Sequence, residues 1–139
     1  MKSLSHFFFY TYIGLVLLAG FWGAFVAPAL DHRWLFKLDT STLNEFSRIN
    51  LISQYRFLRA IEMGFGLFTL LFRIEIFTMP KFNRLFLFIM LSGVLARAVS
   101  LAVEGNPSPC FWFFLLYELI GFVVIAIFTN SPRYARARY

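Results

Sequence analysis

The chain has 139 residues, 60% of them hydrophobic and 21% aromatic, with 13 Lys and Arg against 7 Asp and Glu. Soluble domains carry about 25% charged residues, whereas the share here is 14%, and a domain this small cannot hide so much apolar side chain in one aqueous core. An ordinary water-soluble domain is therefore excluded, and lipid is the natural solvent.

The net charge of +6 raises nucleic acid as a partner, yet no basic face with interleaved aromatics lies outside the apolar runs. No nucleic-acid partner is expected. The single cysteine, Cys110, excludes an intrachain disulfide and dithiol redox chemistry. His6 and His32 have no cysteine or carboxylate at ligand spacing, so neither a metal nor another cofactor is expected.

Taken in order, the pattern predicts an all-α, polytopic membrane protein: a single domain over 1–139 forming a four-transmembrane-helix bundle with both termini cytoplasmic. The first span covers about 7–28. Its charge-free part, Phe7 to Ala27, suits a hydrocarbon core of about 30 Å at 1.5 Å per residue. Lys2 before it and Ala27-Pro28-Ala29 after it also fit a signal peptide, but the apolar run exceeds a usual signal core, so a retained anchor is expected. Ala19, Gly20, Gly23 and Ala24 form overlapping small-xxx-small pairs that permit close helix approach.

An external loop is expected over 29–51, with Trp34, Leu35, Phe36 and Leu38 between Arg33 and Lys37 as an interfacial stretch. Thr42-Leu43-Asn44-Glu45 matches a capping box with Thr42 as N-cap. Helix two then begins near Leu43, with its span over 52–72 and room for a bend near Ser53. Arg73 to Asn83 is expected as a charged turn, followed by the third span over 84–103. Glu104-Gly105-Asn106-Pro107 is a turn signal, and Ser108-Pro109 reads as N-cap and first residue of a fourth span over 110–129. A basic cytoplasmic tail follows over 130–139. Lys2, Arg73, Lys81, Arg84, Arg133, Arg136 and Arg138 fall on one side of this topology, against Arg33, Lys37 and Arg48 on the other. That asymmetry sets the first side in the cytoplasm.

The candidate site is a set of charges inside apolar runs. Arg56, Arg59 and Glu62 lie at i, i+3 and i+6 on helix two, where residues three apart are surface neighbours. A charge within a span costs about 2.5–3.5 kcal/mol on insertion scales and needs a partner. On helix three, Gly93, Arg97, Ser100 and Glu104 share a stripe about 60° wide, and on helix four Phe114, Glu118, Gly121 and Ile125 form a comparable stripe. Arg59, Glu62, Arg97 and Glu118 are expected at a similar depth in the outer half of the bundle. They form an ion-pair network that fixes register, form a polar pocket whose arginine forks accept a carboxylate, phosphate or lipid headgroup, or supply a proton-relay carboxylate.

Ser53-Gln54-Tyr55-Arg56-Phe57-Leu58 with Gly64 and Gly66, then Leu91 to Arg97 with Ser100, Gly105 and Pro107, and finally Glu118, resemble the motifs of a bacterial four-helix membrane family. That family is known only as domain of unknown function 4345. The resemblance covers roughly Asn50 to Phe128 and implies a shared polar core of Arg56, Gly93, Arg97 and Glu118. Arg59-Ala60 stands where the family often has a glycine pair, which makes Arg59 and Glu62 a local addition. The resemblance implies a four-helix bundle in a bacterial inner membrane but lends no activity.

No P-loop, His-Glu-x-x-His, nucleophile elbow or Cys–His pair is present in the sequence, so no catalytic residue is named. The reading is a non-catalytic integral membrane protein that binds a lipid-like or anionic hydrophobic ligand, or serves as an accessory subunit of a larger complex. Membrane lipids, other membrane subunits or further copies of the chain are the expected partners. The alternatives are a small four-helix transporter and, behind it, an enzyme acting on a lipid-soluble substrate.

Overall fold

In the computed structural model, which describes residues 2–131, the chain is all-α, with no strand among the described residues. The helices are α1 (Lys2–Phe21), α2 (Pro28–Leu35), α3 (Glu45–Leu71), α4 (Arg73–Thr78), α5 (Pro80–Val103) and α6 (Pro109–Thr129). Prolines open α2, α5 and α6, because a fixed φ suits the first helical position and the missing N–H is not needed there. The last turn of α1 widens into a π-helical turn, Trp22–Val26, closed by the Ala27 N–H on the Trp22 carbonyl at 3.1 Å. Most of the expected basic tail, from 132 onward, lies outside the described residues.

Among the described residues three helices, not four, are long and apolar enough to cross a membrane: Lys2–Val26, Pro80–Val103 and Pro109–Thr129. The expected span over 52–72 fails because Arg56, Arg59 and Glu62 all fall inside it. Its charge-free part within α3 runs only from Met63 to Leu71, about 14 Å by the helical rise.

Several boundaries also move. Much of the segment read as a loop is the helix α2, started by Pro28, and the turn expected at Arg73–Asn83 is occupied by α4 and the first residues of α5. Asn44, rather than Thr42, caps α3: its Oδ1 accepts from the Ser47 N–H at 2.8 Å. Thr42 instead ends a 3₁₀ turn, Thr40–Thr42, and donates its hydroxyl to the Asp39 carbonyl. No break occurs at Ser53. Ser108 stands at the N-cap of α6, but its hydroxyl makes no capping bond; the Phe111 N–H donates to the Ser108 main-chain carbonyl at 2.9 Å instead. The turn after α5 is as read, with Gly105 at φ +99°, a conformation that only glycine adopts freely.

The chain divides into two compact units, one of Ile13–Phe68 and one of Met1–Tyr12 with Thr69–Tyr139. In the first, the small residues of α1 let it meet α3 backbone to backbone. A Cβ on Gly20 would lie 2.8 Å from the Met63 nitrogen and 2.9 Å from the Arg59 carbonyl, and one on Gly66 would lie 2.9 Å from Leu17 Cγ. His32 is buried, with its Nδ1–H donating to the Pro28 carbonyl at 2.8 Å, and its ring packs edge-on to Tyr55. Outside the apolar helices, Asp39 accepts from the Ser41 hydroxyl and amide, which holds its carboxyl below the ordinary carboxylate value.

In the second unit α5 runs antiparallel to α6, and α4 folds against α5. Phe9, Ile76, Phe86, Met90 and Ile125 are its fully buried apolar side chains. Rings knit its core: His6 stacks on Phe77 at 4.5 Å, and Phe9 meets Phe77 at 4.9 Å and Phe86 at 5.3 Å. Large apolar side chains such as Phe88, Leu95, Phe113 and Ile127 are exposed, the surface that a lipid-facing helix presents.

The glycines give a paired test of α1 against α3. Gly20→Ala should lower stability by about 1–3 kcal/mol through overpacking against backbone. Gly64→Ala, where a Cβ meets nothing within 4 Å, should raise it by about 0.5–1 kcal/mol. Unfolding of both variants in detergent checks this, and equal shifts would show that α1 does not meet α3 at Gly20.

Candidate functional site

The polar groups of each unit settle among themselves. In the Ile13–Phe68 unit, Arg56 and Arg59 lie on α3 beside the end of α1. Pro28 has no N–H, so the residue four positions on cannot serve the Ala24 carbonyl. The Arg56 guanidinium donates to that carbonyl instead. Arg59 donates from Nε to the Tyr55 hydroxyl at 2.8 Å and from Nη1 to Glu62, and its guanidinium lies 4.9 Å from the Tyr55 ring centre. The Tyr55 hydroxyl in turn donates a hydrogen bond to Asp31 Oδ2 at 2.9 Å. Asp31, Tyr55, Arg59 and Glu62 thus form one continuous chain of hydrogen bonds from α2 to α3. The stem of Arg59 lies where a Cβ on Gly23 would sit, 2.7 Å from its Cγ.

Two of these groups escape a reading of charge alone. Asp31 stands in the first turn of α2, and only the discovery of that helix turns it toward Tyr55. Tyr55 itself, 8% exposed, lies inside the quoted motif beside Arg56. Its place four residues before Arg59, on the same helix face, is the available signal. With Asp31 counted, the two arginines of this group face two carboxylates.

In the other unit Arg97 on α5 meets Glu118 on α6, with Nε to Oε2 at 3.1 Å and Nη2 to Oε1 at 3.4 Å. The guanidinium also lies 5.9 Å from the Phe111 ring centre and 5.7 Å from that of Phe114. Gly93 faces the carboxylate: a Cβ there would lie in ordinary contact, 3.8 Å from Glu118 Oε2. Ser100 and Glu104, placed on the same stripe by the sequence, are exposed and join neither ion pair. On that stripe Gly93 and Arg97 lie against Glu118, and α5 ends at Val103, one residue before Glu104.

The structure places Arg48 two turns before Arg56, on one broad face of α3. A shallow groove of about 320 Å³ is lined there by Arg48, Ile49, Ile52, Ser53 and Arg56. Among the described residues Arg48 makes no ion pair, and no group of three or more His, Cys, Asp or Glu that could hold a metal occurs among them. The groove therefore offers two guanidinium forks, one hydroxyl and two branched apolar side chains.

The family described as Domain of unknown function (DUF4345) matches residues 4–129. The chain belongs to this family. No curated protein and no solved structure matches it. Within this DUF4345 member the matched region takes in both polar groups and every helix that carries them, which extends well beyond the stretch from Asn50 to Phe128 that the motifs alone suggested.

The Arg97–Glu118 pair is partly open, with the two side chains 33% and 16% exposed. Removing one partner from a fully buried pair costs about 3–5 kcal/mol, and solvent access reduces this. Glu118→Leu should therefore destabilise the protein by roughly 1–3 kcal/mol, and adding Arg97→Leu should recover most of the loss. Thermal unfolding of the single and double variants in detergent checks the coupling. Additive losses would show that the pair does not hold α5 to α6.

Proposed function

We propose that this DUF4345 protein is a non-catalytic integral protein of a bacterial inner membrane that binds an anionic, lipid-like ligand on the outer part of α3. The observation that carries this reading is the groove lined by Arg48, Ile49, Ile52, Ser53 and Arg56. The half-buried arginines have partners that occupy their forks: Glu62 and Tyr55 for Arg59, Glu118 for Arg97. Arg48 has none among the described residues, and Arg56 uses one of its five N–H groups on Ala24. A phosphodiester between these two guanidinium groups would receive charge-assisted bonds. Ser53 adds a hydroxyl, and Ile49 and Ile52 meet the first carbons of an acyl chain. Exposed Trp34, Phe36 and Phe46 in the same unit are the aromatic side chains that favour a headgroup region.

Binding is measured by native mass spectrometry after reconstitution with equimolar phosphatidylglycerol and phosphatidylcholine. The wild type should retain the anionic lipid preferentially, and Arg48→Ala should reduce that preference about tenfold, the worth of one charge-assisted hydrogen bond. Arg48→Glu should abolish it. Equal retention by all three proteins would overturn the reading. Arg56 is left intact in this test because it also holds the end of α1.

The same reading places the start of α1 and the residues after α6 in the cytoplasm. α3 then carries the chain back across, about 40 Å long for its 27 residues. It does so as a helix in which Arg59 and Glu62 are already paired rather than as an apolar rod. Single cysteines at Ser41 and Lys81, in a Cys110→Ser background, should react with an impermeant thiol reagent from opposite faces of sealed vesicles. Labelling of both from one face would refute the topology.

A further inference from the structure

Three buried side-chain atoms have no hydrogen-bond partner among the described residues: Ser5 Oγ, Asn83 Nδ2 and Ser108 Oγ. Ser5 and Asn83 belong to the same unit, and the helical register brings them to one level. Met90 on α5 lies 3.6 Å from where a Cβ on Gly121 of α6 would sit. Seven residues before Met90 is Asn83, and seven after Gly121 is Phe128, so antiparallel α5 and α6 place these two together. Phe128 is also in ring contact with His6 on α1, at 6.1 Å. Ser5 precedes His6.

A second route gives the same level: Phe9 and Phe86 touch at 5.3 Å, and one turn back from each are Ser5 and Asn83. Thr129 follows Phe128. The exposures of Ser5, Asn83 and Thr129 are 0%, 3% and 2%. Three polar side chains from α1, α5 and α6 are therefore fully buried at one height among the rings of His6, Phe9, Phe77, Phe86 and Phe128.

A buried amide donor left without an acceptor costs about 1–3 kcal/mol, and native proteins meet such groups with ordered water that makes about three hydrogen bonds. We propose that Ser5, Asn83 and Thr129 bind one buried water molecule. Asn83 Nδ2 supplies a donor and Ser5 Oγ a donor or acceptor. Thr129 Oγ1 spends its proton on the Ile125 carbonyl at 2.9 Å and keeps acceptor lone pairs. One donor, one acceptor and one hydroxyl of either sense are the set a single water satisfies, whereas an ion or an organic headgroup would require a charge that none of these residues supplies. The water serves as the polar link between the beginnings of α1 and α5 and the end of α6.

The test is a density map of the wild-type protein in a lipid nanodisc at a resolution that shows ordered water. A single spherical peak within hydrogen-bond distance of Ser5 Oγ and Asn83 Nδ2 is expected. A direct Ser5–Asn83 bond, or no density between them, overturns the proposal. A double-variant cycle tests the same link without a map. Ser5→Ala and Asn83→Leu each expel or strand the water, so their combined effect on the unfolding equilibrium should fall short of the product of the single effects by at least about threefold. Single effects that multiply would overturn it. Should Asn83→Leu fail to fold, Asn83→Ser takes its place in the cycle.

Discussion

The Arg59 guanidinium carries the arrangement of α1, α2 and α3. Its Nε is received by the Tyr55 hydroxyl, its Nη1 by Glu62, and its stem rests against the bare backbone of Gly23. Tyr55 in turn reaches Asp31, so α2 is tied to α3 by the same chain of bonds. A charge in an apolar helix is tolerated when it is bonded on its own protein, and here both bonding partners, Tyr55 and Glu62, stand on α3 itself. Take away the Tyr55 hydroxyl, and the Arg59 Nε–H loses its acceptor.

Backbone polar groups obey the same rule. The proline that opens α2 removes the N–H that would have served the Ala24 carbonyl, and α1 responds by widening its last turn and exposing that carbonyl to Arg56. What looks like a helix defect is thereby a receptor for a side chain two helices later in the sequence. Arg97 and Glu118 apply the rule a third time, with Phe111 and Phe114 flanking the guanidinium. Charges already matched in this way fix the register of helices and leave little binding capacity for a ligand. Arg48, unmatched among the described residues, is set beside the half-used fork of Arg56, and the proposed binding rests on these two.

How far the site was legible depends on whether its signal is local or distant. Gly20 and Gly23 announced a close approach on α1, and they make it. Arg97 and Glu118 fell on facing stripes because the tight turn through Gly105 forces α5 and α6 to be antiparallel neighbours. Asp31 was not legible, since its relevance depends on α2, and a short helix with two aromatics and few apolar periods reads as a loop. The cap of α3 was misplaced by two residues because Thr42 and Asn44 both suit an N-cap. Thr42 is already engaged with the Asp39 carbonyl, which leaves the position to Asn44.

By itself the sequence determined the solvent and the element type. Sixty per cent hydrophobic residues in 139 can be satisfied only in lipid, where a chain must form helices or a closed barrel, and long charge-free runs select helices. It also determined that each intramembrane charge would seek a partner, because the cost of leaving one alone is large wherever it falls. Tertiary structure decided which partner. Arg59 had Glu62, Tyr55 and a distant carboxylate within its options, and only the packing of α2 beneath α3 brought Asp31 into the chain. Tertiary structure likewise paired the charges within each unit, Arg59 with Glu62 and Arg97 with Glu118. Hydrophobic periodicity gives the height of a residue along its helix, whereas its neighbours are set by which helices pack together.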